Sequence, residues 1–87
     1  MRAQLVVARN LRRLRVLRLL SQESLAVDAG IDRTYVSRLE RGLENPTVAV
    51  LERLADALDA EIAEFFDASR VTRGQIKPLP SGRRKVD

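Results

Sequence analysis

Residues 22–29 and 33 to about 41 carry two short helical patterns separated only by Gly30, Ile31 and Asp32. A connection this short obliges the two helices to fold back on each other, crossing at roughly 90–120°. The crossing needs a small residue where the backbones approach, a residue tolerant of positive φ in the turn, and apolar side chains pointing inward. Ala26 supplies the first and Gly30 the second, while Leu25, Ala29, Ile31, Val36 and Leu39 supply the third. Ser21 and Asp32 stand where N-caps belong, and Gly30 and Gly42 stand where left-handed stops belong. Neither start has a glutamate at the third helical position, so neither predicts a full capping box.

Similar periodicity surrounds this unit. In residues 5–17, Val7, Leu11, Leu14 and Leu17 recur on one helical face, while Arg2, Arg9, Arg12 and Arg13 lie mostly off it. Arg15 falls nearer the apolar stripe and should seek a carboxylate. After an Asn45-Pro46-Thr47 turn and cap, residues 48–58 place Val48, Leu51, Leu54, Ala55 and Leu58 on one face, against Glu52, Arg53 and Asp56 on the other. A short fifth helix over about 61–67 carries Ile62, Phe65 and Phe66. Beyond Ala68 the periodicity fades, and Gly74, Pro78, Pro80 and Gly82 punctuate a basic tail. With Tyr35 as the only other aromatic, Leu, Val, Ile and Ala must build the core, which favours packed helices. The expectation is an all-α, compact five-helix domain over residues 1–67, its helix-turn-helix at about 22–41, with a flexible tail over 68–87.

Composition excludes several chemistries. Cysteine and histidine are absent, which removes thiol catalysis, disulfides, the usual zinc sites and the commonest general base. No apolar run approaches the roughly 18 residues of a membrane span, and Leu5-Val6-Val7-Ala8 is too short for a signal-peptide core. No metal, cofactor, small-molecule ligand or membrane is expected, and no nucleophile–base pair points to an enzyme. A reducing cytoplasm, at the nucleoid, is the natural compartment.

Charge is segregated along the chain. Residues 1–41 hold nine arginines against four acids, residues 42–67 one arginine against seven acids, and residues 68–87 six cations against one acid. A basic front, an acidic back and a basic tail suit an oriented polyanion binder. The tail could contact flanking phosphates, dock on the acidic surface, or do neither.

The stretches Asn10-Leu11-Arg12-Arg13-Leu14-Arg15, Leu20-Ser21-Gln22-Glu23-Ser24-Leu25-Ala26 and Glu40-Arg41-Gly42 with Asn45-Pro46-Thr47 resemble the lambda-repressor-like, Cro/C1-type (XRE) helix-turn-helix family. The resemblance covers residues 10–66, and Asp32-Arg33-Thr34-Tyr35-Val36-Ser37 is similar to the controller proteins of restriction-modification systems. Two departures stand out: Leu19 and Asp59 occupy turns where the family usually has glycine. Asp tolerates a positive φ moderately; Leu does not. Either the first turn is strained or the first helix ends differently.

The resemblance implies that the third helix enters the major groove of double-stranded DNA, with Arg33, Thr34, Ser37 and Arg38 at base edges. Arg33 is the leading candidate, since a guanidinium can donate two hydrogen bonds to guanine O6 and N7. Gln22, Arg41, Asn45 and Thr47 would face phosphates. Tyr35 would either press on the backbone and a flexible base step or pack its ring beside the second helix. Arg15 and Glu40 stand where similar domains hold a structural ion pair. One helix reads too few base pairs, so a homodimer on a palindromic operator is expected, with Ile62, Phe65 and Phe66 as interface candidates. Autoregulation would suit a chain with no room for a ligand domain. The alternative is a protein-interaction module of the antitoxin or antiactivator kind built on the same fold.

Overall fold

A computed structural model describes residues 2–71. Four α-helices form: α1 (Ala3–Leu17), α2 (Gln22–Ala29), α3 (Arg33–Glu40) and α4 (Val48–Leu58). Two 3₁₀ turns follow, Ile62–Phe66 and Ala68–Arg70, and the described residues contain no strand. The expected fifth α-helix is thus a single 3₁₀ segment. Its five residues are too few for a stable α-turn ladder, and Glu61 and Glu64 close it with a reciprocal capping box. No helix among the described residues is long and apolar enough to cross a membrane.

The core joins Val7, Leu11 and Leu14 of α1 to Leu25, Ala26 and Ala29 of α2, Val36 and Leu39 of α3, and Leu51, Leu54, Ala55 and Leu58 of α4, around a fully buried Phe65. Helix α2 packs on α3 and α4, and α1 packs on α3 and the first 3₁₀ turn. Two members of the expected apolar faces lie outside. Leu17 is 66% exposed and Val48 is 72% exposed. Each is the terminal residue of its helix, past the last turn with a packed neighbour. The folded body also extends beyond residue 67, since Val71 is buried after the second 3₁₀ turn. This corrects the expected tail boundary for residues 68–71; the rest of the tail lies outside the described residues.

All four helices stop in one way. In each, an amide just past the helix bonds the carbonyl five residues back, closing a six-residue loop: Leu20 N–H to Arg15 O (3.1 Å), Ile31 to Ala26 (2.9 Å), Leu43 to Arg38 (3.0 Å) and Ala60 to Ala55 (2.9 Å). This Schellman closure requires a left-handed residue just before. Gly30 (φ +71°) and Gly42 (φ +74°) meet that need without a Cβ penalty, but Leu19 (φ +59°) and Asp59 (φ +53°) do not. The first turn therefore keeps the glycine geometry and carries the strain. Arg18 ties the two non-glycine turns together, donating from Nε to Leu58 O (2.7 Å) and from Nη2 to Asp59 O (3.0 Å). Leu19→Gly should raise stability by about 1 kcal/mol, the approximate cost of a left-handed non-glycine residue. A urea midpoint that stays put or falls would contradict this.

Asn10 provides the other long-range tie. Fully buried, its Nδ2 donates to Phe65 O (3.1 Å) and Asp67 O (3.0 Å), while its Oδ1 accepts from Arg13 Nε (3.2 Å) and Nη2 (3.0 Å). Every polar position of the amide is thereby matched, and α1 is fastened to the C-terminal turns.

Candidate nucleic-acid interface

Helix α3 is amphipathic in the sense a probe requires. Val36, Leu39 and Glu40 are buried, whereas Arg33, Thr34 and Arg38 are exposed and Ser37 is half-buried. Residues 33 and 37, and 34 and 38, are four apart, so they form two adjacent rows on one helical surface. Asp32 fixes the start of the probe by accepting the Thr34 N–H at 2.9 Å. Gly30 and Ile31 complete the turn, with Ala26 buried where α2 meets α3. Helices α2 and α3 are separate, packed elements rather than one rod, and Arg33 faces outward.

A buried polar knot sets the probe on the body. Glu40, at the end of α3, accepts Arg15 Nε at 2.6 Å on Oε2 and Arg15 Nη2 at 3.0 Å on Oε1. Gln22 Nε2 adds a third bond to Oε1 at 3.1 Å, and Arg15 Nη1 donates to Leu20 O at 2.8 Å. The Arg15 and Glu40 side chains are only 13% and 4% exposed. The bidentate bond to Glu40 raises the Arg15 pKa above its ordinary value, against the desolvation that would lower it. One carboxylate thus joins α1, α2 and α3. It also engages the amide of Gln22, the residue expected to face a phosphate, in a bond within the monomer: a buried carboxylate needs its donors close at hand.

Tyr35 is half-buried with its ring against the core, and burial, with Glu44 nearby, raises its phenol pKa. Arg41, Asn45 and Thr47 are exposed beyond α3, although the Thr47 hydroxyl oxygen is occupied in capping Val50 N–H at 3.1 Å. Sequence reasoning missed Glu44. Its Oε2 accepts Arg38 Nε at 2.7 Å, placing a carboxylate beside an expected base-reading arginine. Gln4 helps hold this loop, donating to Glu44 O at 3.1 Å. The available signal was an acid just past the Gly42 turn, close enough to fold back on α3.

The expected dimer trio divides. Phe65 is fully buried in the monomer core and has no surface to offer a partner, which removes it from the interface; Phe66 is 51% exposed and Ile62 is partly buried. Adjacent aromatics on a 3₁₀ turn point to different sides, so only one could enter the core.

Residues 11–65 match the helix-turn-helix family HTH_3. SlrR of Bacillus subtilis, an HTH-type transcriptional regulator, is 37% identical over 57 residues, covering 64% of this chain and 38% of SlrR, so the chain spans well under half of that relative. Control protein C.SmaI of Serratia marcescens is 40% identical over 61 residues, 70% of this chain and 73% of C.SmaI. The restriction-modification controller protein C.AhdI of Aeromonas hydrophila superposes with a TM-score of 0.71 at 43% identity, covering 72% of this chain and 96% of C.AhdI. The matched residues span the buried knot, the Gly30 turn and the exposed rows of α3, and the chain belongs to the helix-turn-helix (HTH_3, XRE-type) family.

Proposed function

We propose that this chain is a sequence-specific DNA-binding transcriptional regulator that inserts α3 into the major groove. The observation that carries the reading is the outward ridge of Arg33, Thr34, Ser37 and Arg38, held on the body by the buried Arg15–Glu40–Gln22 knot. Arg33 donates two hydrogen bonds to a guanine, Thr34 and Ser37 offer hydroxyls or a methyl, and Arg38 reaches a base in the direction set by Glu44. Arg41, Asn45 and Thr47, with the start of α2, lie toward phosphates and fix register. Two protomers, meeting around Phe66 and Ile62, present two such ridges to a palindromic operator in the cytoplasm. The names of the relatives, transcriptional regulators and control proteins, support this reading.

The test is affinity for duplex DNA across a salt series. A dimer making about 6–10 phosphate contacts should lose about 10³–10⁵ in affinity between roughly 50 and 200 mM salt. A flat profile would reject the proposal and turn attention to protein partners.

A further inference from the structure

A groove of about 620 Å³ runs along the face of α1 turned away from Val7, Leu11 and Leu14. It is lined by Arg9, Arg12, Arg13 and Arg70, of which Arg13 also bonds Asn10 and Arg70 pairs with Asp67. Val16, Leu17 and Leu19, all exposed, add apolar surface to the same lining. Leu19 is 91% exposed while holding a left-handed backbone, so burial within the monomer returns nothing for that strain. Asp67, paired with Arg70 at 3.8 Å, offsets part of the positive charge.

We propose that this groove docks an acidic amphipathic helix of a partner protein, with carboxylates on its arginines and an apolar stripe on Val16, Leu17 and Leu19. Charge decides the class of occupant. The chain's own residues 72–87 carry five cations and one acid and would be repelled. A phosphate backbone would satisfy the arginines but leave three apolar side chains facing a polar strand, whereas an amphipathic helix satisfies both. The ridge of α3 is a separate surface, so a partner held here need not displace DNA; the inference stands or falls independently of the DNA-reading proposal.

The test uses the full 87-residue chain and a fluorescent synthetic helix with leucines at i, i+3, i+4 and i+7 and glutamates elsewhere. A scrambled peptide of the same composition is the control. The striped helix should bind about tenfold tighter than the scramble, and Arg12→Glu should weaken it about tenfold. Leu19→Gly should weaken it about threefold even though the fold becomes more stable, which separates a lost contact from unfolding. Equal binding of both peptides would overturn the proposal by reducing it to unspecific charge. So would Arg12→Glu weakening duplex DNA while leaving peptide affinity intact, since the groove would then be a DNA contact.

Discussion

Glu40→Ala is expected to destabilise the protein by about 3–5 kcal/mol, because Arg15 would keep its charge in a buried site with its bidentate partner gone. Domains of this size have about 5–15 kcal/mol in total, so the loss removes a large part of the margin. In a thermal melt Tm should fall on the order of 15 °C or more. The Gln22 amide would also lose its acceptor, loosening the start of α2 from the end of α3. Replacing both charges, as Arg15→Met with Glu40→Leu, should restore more than half of the stability, since apolar residues can replace a buried pair at little cost. A single-variant loss below about 1 kcal/mol would mean that the pair behaves like a solvated surface bridge.

Arg33→Ala is expected to cost about 1–3 kcal/mol per half-site on the preferred operator, with almost no effect on folding, because the side chain is exposed on the first turn of α3. The loss should be confined to one base pair: competitors altered there should bind the variant as well as the original sequence does. Arg41→Ala provides the contrast. A phosphate contact carries no sequence information, so its loss should weaken all duplexes alike and flatten the salt dependence. If Arg33→Ala behaved like Arg41→Ala, Arg33 would be a backbone contact and the reading of the ridge would need revision.

Much of this architecture is legible because local rules and packing agree. Ser21, Asp32 and Thr47 each cap the helix they precede, and Gly30 turns the chain where a Cβ would be strained. Arg15 lies beside an apolar stripe and finds the carboxylate such a position demands. What periodicity misses is where a face stops being covered. Leu17 and Val48 continue their stripes into solvent, and no helical repeat distinguishes Phe65 from Phe66 on a 3₁₀ turn. Leu19 is the reverse case: its side chain argues against a left-handed turn, yet the six-residue closure imposes one. Asn10, Arg18 and Glu44 act through bonds to distant backbone or to another loop, and pattern along one helix does not reveal them.

Selection of bound sequences from a pool of random duplex DNA examines the recognition helix most directly. Two inverted half-sites with centres about 10 base pairs apart, each containing a guanine whose enrichment disappears with Arg33→Ala, are the predicted result. A pool that stays random, or a consensus unchanged by Arg33→Ala, would contradict the assignment of α3 as the reading element.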